Sequence, residues 1–222
     1  MSDVLVNADF DDRIVIATDT LAWVPSPQVG VERRMLDRIG GEVARATSLV
    51  RYAPGSEFPV HGHALGEEFL VLDGVFSDEH GDYPAGTYVR NPPGSRHTPR
   101  TGPGCTIFVK LRQMPPTETE RVVCDTGMMR WLPVAPGLSR IGLHAAGEEN
   151  VALERLAAGA VLTEDEQTGG EEIFVLSGTL ADDEGVYGSA TWIRNPAGHR
   201  RALRSQPGAT YWVKRGHLRP AM

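Results

Sequence analysis

Long apolar runs are missing from this 222-residue chain. No stretch approaches the roughly 18 residues of a membrane-spanning helix, so no membrane span is expected. The N-terminal Met-Ser-Asp-Val-Leu-Val-Asn-Ala-Asp-Phe lacks the basic and apolar regions of a secretory signal, which makes the cytoplasm the expected compartment. Cysteine is scarce: Cys105 and Cys124 cannot build a disulfide framework, and their apolar, strand-like neighbourhoods read as two buried free thiols. A basic stripe is also absent. The formal charge is −7, and Arg96, Arg100, Arg200, Arg201 and Arg204 are offset by Asp78, Glu79 and the acidic residues 164–166, so no nucleic-acid partner is expected. Helical periodicity fails as well, because no ten-residue stretch sustains it without glycine or proline. The nearest case, 151–160, aligns with 47–56 in an internal repeat and reads as a strand.

What the chain has is turns and short strands. Gly 25 and Pro 16 punctuate runs such as 46–52, 68–72, 87–90 and 105–111, the pattern of an antiparallel all-β sandwich or barrel. The pattern occurs twice. A shift of 104 residues lays 51–110 on the second half without a gap, carrying Glu67-Glu68-Phe-Leu-Val-Leu-Asp-Gly74 onto Glu171-Glu172-Ile-Phe-Val-Leu-Ser-Gly178. Upstream, Arg13-x9-Trp23-x-Pro25 matches Arg121-x9-Trp131-x-Pro133, and Gly30-x2-Arg33-x2-Leu36 matches Gly137-x2-Arg140-x2-Leu143. Such a repeat means two copies of one domain. Pro115 and Pro116 mark the junction, giving domains 1–114 and 115–222.

The first copy carries chemistry in its spacing: Gly55-x5-His61-x-His63-x3-Glu67-x6-Gly74, then Gly86-x5-Pro92-x-Gly94-x2-His97. Three imidazoles and one carboxylate suit a divalent transition metal. His61 and His63, two apart on a strand, point to one face, and Glu67 shares their parity. His97 is expected from a later strand lying across the barrel. In the second copy the four positions become Asp165, Gln167, Glu171 and Arg201. Arg201 cannot give up a proton to ligate. The expectation is a dead site, with an Arg201–Glu171 ion pair in place of a metal. An anion pocket organised by Arg201 is the alternative.

The double motif resembles the cupin superfamily, with Thr101 where the second motif usually has asparagine. That resemblance implies two tandem cupin jelly rolls. Within it, Tyr52-Ala-Pro-Gly-Ser, the His61–Glu67 phrase, Tyr83-Pro-Ala-Gly-Thr-Tyr-Val-Arg-Asn-Pro-Pro-Gly-Ser-Arg-His97 and Gly104-Cys105-Thr-Ile-Phe-Val-Lys are similar to the cupin domain of ChrR-type anti-sigma factors. The resemblance implies zinc on His61, His63, Glu67 and His97 and a sensor or regulatory role in a transcriptional stress response. That family's sigma-binding module uses a helical His-x3-Cys-x2-Cys motif that nothing before residue 50 matches, so a sigma-factor partner is not expected. The other reading is an Fe(II)-dependent dioxygenase acting on a small, β-dicarbonyl-like molecule bound in the barrel, since the same shell serves both roles. Arg90, Arg194, Asn91 and Asn195 read as ties between loops and sheet edges, and Trp23 and Trp131 as core anchors. Sheet edges leave room for a homodimer.

Overall fold

The computed structural model describes residues 4–41, 43–163 and 165–218, with the side chains of 165–167 outside that description. Among the described residues there is no α-helix, and one 3-10 turn at Thr18–Thr20 interrupts an otherwise all-β chain of two jelly-roll units. Residues 151–156 fall in the strand Glu149–Leu156, in keeping with their match to the first repeat.

The units do not follow a single cut along the chain. Unit 1 comprises Met1–Ala8 and Ala22–Met129, and unit 2 comprises Asp9–Leu21 and Arg130–Met222. Each sequence repeat therefore gives one early strand to the other's sheet. Ile14–Ala17 pairs with Thr191–Asn195, and Val122–Asp125 pairs with Thr87–Asn91. The boundary at residue 114 separates the repeats of sequence, whereas the compact units are divided by this exchange.

In unit 1 the large antiparallel sheet runs Leu5–Val6, Val31–Ile39, Arg45–Tyr52, Cys105–Leu111, Glu67–Asp78, Thr87–Asn91, Val122–Asp125. Register sets its inner face in layers. Val71 lies beside Ile107, Val50 and Arg33, and Glu67 lies beside Leu111, Ala46 and Arg38. Apolar side chains at this two-residue period, with Phe69, Phe76, Tyr83 and Val89, build the core. Unit 2 repeats the order, with Leu138–Ala146, Glu149–Leu156, Ala209–Arg215, Glu171–Ala181 and Thr191–Asn195 side by side.

The last glycine of the first motif ends the ladder in both units. Gly74 has φ 73°, and a Cβ there would meet Gly104 O at 2.0 Å; Gly178 has φ 75° and the same 2.0 Å approach to Gly208 O. Both the left-handed backbone and the contact exclude a side chain. Gly74→Ala is expected to destabilise unit 1 by about 2–4 kcal/mol, from backbone strain and a shift of the facing strand. Chemical denaturation checks it, and an unchanged midpoint would contradict the account.

Two expectations about packing need correction. Cys105 is buried, but Cys124 lies half-buried on the exchanged strand, whose covered side (Val122 and Cys124) is only partly enclosed while Val123 and Asp125 are exposed. Trp23 and Trp131 are not core anchors. They are half-buried platforms, with Arg34 and Arg51 each 4.4 Å from the Trp23 ring and Arg155 4.1 Å from the Trp131 ring.

Candidate metal centre

A two-stranded ribbon outside the large sheet brings the histidines together. His61–His63 pairs antiparallel with Ser95–His97, and His61 stands directly opposite His97. His97 is thus the neighbour of His61 and does not reach it from across the barrel. The short Pro-Pro-Gly turn before Ser95 returns the chain beside the first motif. Glu67 begins the next strand, after the tight turn at Gly66.

Ligand-type atoms of His61, His63 and His97 all lie within 4.8 Å of one another. His63 Nε2 and His97 Nε2 are 3.0 Å apart, and Glu67 Oε2 is 3.5 Å from each. Two ligands bound at right angles at roughly 2.05 Å would be about 2.9 Å apart, so this spacing fits one shared ion. The donor set fits as well: two imidazole nitrogens converge with a carboxylate oxygen, and all three side chains are buried.

Three of the four side chains are held from behind. His61 Nδ1 faces Pro59 O at 3.0 Å. His97 Nδ1 faces Asp78 Oδ2 at 3.3 Å, which turns Nε2 toward His63 and Glu67. Asn91 Nδ2 donates to Glu67 Oε2 at 3.0 Å. Behind these sits Arg121, donating to Asn91 Oδ1 at 3.1 Å and to Tyr83 Oη at 2.6 Å, while Tyr83 donates to Asp78 Oδ1 at 2.9 Å. Arg121 comes from the first strand-bearing segment of the second repeat, so the exchange supplies part of the support for the centre.

Charge follows this arrangement. Burial lowers the His63 pKa, and the neighbouring Glu67 carboxylate only partly offsets it. For His97 burial also acts downward, but the Asp78 hydrogen bond and the Glu67 charge outweigh it and raise the pKa. Burial would raise Asp78, yet hydrogen bonds from His97, the His80 backbone N–H and Tyr83 hold it down at about 2. Glu67 is likewise held below the usual carboxylate range, burial being overcome by His63, His97 and Asn91.

In sequence Asp78 stands only as one of the acidic residues that offset the arginines. Its burial comes from the hairpin between Glu67–Asp78 and Gly81–Pro84, which closes Tyr83 over it. The same carboxylate, tyrosine and arginine recur in unit 2, where Arg13 donates to Asp182 Oδ2 at 2.7 Å and to Tyr187 Oη at 2.8 Å. In unit 1 alone the carboxylate meets a histidine. Asp78→Asn is expected to weaken metal affinity about 10- to 100-fold, as removal of a carboxylate behind a ligating histidine does. Competition with a chromophoric chelator measures it, and unchanged affinity would exclude Asp78 from the centre. Asn91 goes beyond the structural tie expected of it, since it holds Glu67. Arg90 keeps that role, paired with Glu68 at 2.8 Å and with Glu118.

In unit 2, Arg201 occupies the His97 position opposite Asp165 in register. Its Nε donates to Glu171 Oε1 at 2.7 Å, and a second bond joins the other oxygen. Arg215 Nε donates to Glu171 Oε2 at 2.9 Å and also reaches both oxygens of Glu154. Burial would raise Glu171, but Arg201 and Arg215 hold it below the carboxylate range. Arg201 is satisfied from within the unit, as the ion-pair expectation required. The side chains of Asp165 and Gln167 lie outside the described residues.

A cavity of about 330 Å3 adjoins the unit 1 centre, with His61, His63 and Glu67 in its lining. Most of its wall is apolar, and the remaining cationic groups are Arg33, Arg38 and Arg112.

Solved structures share this fold at low identity. A protein of Nostoc punctiforme, described provisionally as a dioxygenase, is 15% identical with TM-score 0.77, covering 95% of this chain and 85% of its own. A cupin 2 conserved barrel domain protein of Leptotrichia buccalis is 12% identical with TM-score 0.63, covering 96% and 99%. Oxalate decarboxylase of Bacillus subtilis, a protein with Mn(II) centres, is 11% identical with TM-score 0.62, covering 94% and 78%. No curated protein sequence matches significantly. The family described as ChrR Cupin-like domain matches residues 11–115 and again 119–219, each match starting with the exchanged strand. With both repeats matched almost end to end, the chain belongs to the ChrR cupin-like domain family and carries that domain twice.

Proposed function

We propose that unit 1 binds one divalent transition-metal ion through His61, His63, Glu67 and His97 and acts on a small organic molecule as a metal-dependent dioxygenase. The observation that carries this reading is the mostly apolar cavity with three of those side chains in its wall. Fe(II), if held by these residues, would supply oxygen activation. The protein's share is positional. Asp78 and Pro59 O fix the rings of His97 and His61, Asn91 fixes the Glu67 carboxylate, and the apolar wall keeps water from the bound molecule.

The family match favours a second reading, in which zinc is held by the same four residues and the cavity ligand is a signal. Two free thiols fit a cytoplasmic setting for either. Metal analysis of protein purified without added metal, paired with O2 uptake on small β-dicarbonyl compounds, separates the two. Bound iron with substrate-dependent O2 consumption is expected. Stoichiometric zinc without turnover would overturn the oxygenase reading and leave the sensor.

A further inference from the structure

The inner face of one strand carries different polar groups in the two units. Side chains 46, 48, 50 and 52 of Arg45–Tyr52 share that face in unit 1, as 150, 152, 154 and 156 of Glu149–Leu156 do in unit 2. The buried polar group of the unit 2 face is Glu154. Arg140 lies opposite it in register and donates to its Oε1 through Nε at 2.9 Å, and Arg215 reaches its Oε2 at 3.0 Å. Its carboxyl is held at about 2: burial alone would raise it, and Arg215 and Arg140 overcome that. On either side of it stand the hydrocarbon side chains of Ala152 and Leu156.

Unit 1 reverses this pattern. Val50 stands where unit 2 has Glu154, and Leu111 where it has Arg215. Ser48 and Ala152 are counterparts, facing Val109 and Val213 in register, and so are Tyr52 and Leu156, facing Cys105 and Ala209. Hydroxyls thus occur only in the unit with the histidines. Ser48 and Tyr52 are 5% and 8% exposed, and both line the cavity with His61, His63 and Glu67. Among the described residues, neither Ser48 Oγ nor Tyr52 Oη has a hydrogen-bond partner. Thr47, on the opposite face, accepts from Lys110 Nζ at 2.8 Å. Ser48 lies one layer from the metal centre, since Glu67 sits beside Leu111 and Ala46, and Phe69 beside Val109 and Ser48. The Tyr52 ring is fixed edge-on against Phe76, with centroids 5.8 Å apart. Burial, reinforced by the Glu67 charge, pushes its phenol well above the ordinary range, so it remains a protonated donor. A buried hydroxyl without a partner is unfavourable, and an acceptor on a bound molecule removes that cost.

We propose that Ser48 and Tyr52 are specificity-determining donors, and that the cavity takes a small, mostly apolar carbonyl compound whose oxygen accepts from their hydroxyls. The hydrocarbon body lies against Val50, Ile107 and Val109, which supply the apolar wall between and beside the two donors. A volume of about 330 Å3 is in the range of small-molecule sites. The proposal names the ligand class of the site proposed above, and it rests on that reading only in taking this cavity as the ligand chamber.

Titration calorimetry on the full chain, with and without metal, tests it. The probes are cyclohexanone and methylenecyclohexane, which differ in exchanging the carbonyl oxygen for a CH2 group. Tyr52→Phe and Ser48→Ala are each expected to weaken cyclohexanone about three- to tenfold, the worth of a neutral hydrogen bond, and to leave methylenecyclohexane unchanged. The dependence should hold in both preparations, because the donors belong to the wall and not to the metal. Infrared spectra give a second reading: the C=O stretch of bound cyclohexanone should rise in Tyr52→Phe as the hydrogen bond is lost. Equal weakening of both probes would trace the effect to packing and overturn the proposal. An unmoved C=O stretch would overturn it too, as would failure of cyclohexanone to bind either preparation. Hydroxyl-dependent binding in a chain that holds zinc and takes up no O2 would support the proposal while sinking the oxygenase reading.

Discussion

His63→Ala is expected to abolish stoichiometric metal binding, lowering affinity by about a thousandfold or more, roughly 4 kcal/mol. His63 is buried and its Nε2 stands between His97 Nε2 at 3.0 Å and Glu67 Oε2 at 3.5 Å, so no neighbouring donor can move into its place without breaking the ribbon. Alanine leaves the strand pairing with Ser95 intact. The variant should therefore fold, and its far-UV dichroism should match the parent while the ligand-field bands of bound Co(II) disappear. Retention of one tightly bound ion per chain would remove His63 from the shell and the centre from unit 1.

Much of this centre could be read in the residues themselves. A two-residue interval on a strand fixes the side to which His61 and His63 point, and the glycines and proline around them mark turns of set length. The ion pair in the second repeat was equally plain, because Arg201 cannot ligate, and the structure shows it paired with Glu171. Other features depend on where strands go after the motif ends. Ile14–Ala17 and Val122–Asp125 follow near-identical lead-ins, Arg13 and Arg121, so pattern alone does not say which sheet each joins. In each unit the outcome is marked by a tyrosine and carboxylate pair, Tyr83 with Asp78 and Tyr187 with Asp182, that receives the arginine of the other repeat's lead-in. Asp78 stood out only as an acidic offset to the arginines, because its burial depends on a hairpin partner beyond a Gly turn. The placement of His97 was misjudged for a related reason. Three-residue strands carry too little pattern to show that they pair with each other and not with the large sheet.

The contrast between Val50 and Glu154 connects these observations. A repeat without the histidines must still satisfy its buried glutamate. Unit 2 does so with Arg201 and Arg215, and Arg215 in turn shares Glu154 with Arg140. Unit 1 carries the shorter Val50 and Leu111 at the matching positions, and its interior stays open. Scaffold and site are thus alternative fillings of one barrel, distinguished by a handful of side chains on the same strands.

Arg201→Ala is expected to destabilise unit 2 by about 3–5 kcal/mol while leaving metal content unchanged. The substitution removes two hydrogen bonds from Glu171, a carboxylate with no exposed surface, and among the described residues leaves Arg215 and Asn195 to hold it. The pH dependence identifies the cause. In the parent, Glu171 titrates below its ordinary 4.5, so its contribution is present above that value and is lost as pH falls through the depressed pKa. Without Arg201 the folded pKa rises, and a proton can neutralise the buried carboxylate in place of the guanidinium. Parent and variant should therefore differ most at neutral pH and converge as pH falls below about 4.5. Thermal melts from pH 7 to pH 4 measure this, with metal content followed alongside. A gap that stays constant with pH would trace the loss to packing and remove the ion pair from the account. Lost metal would mean that the second repeat still takes part in ligation.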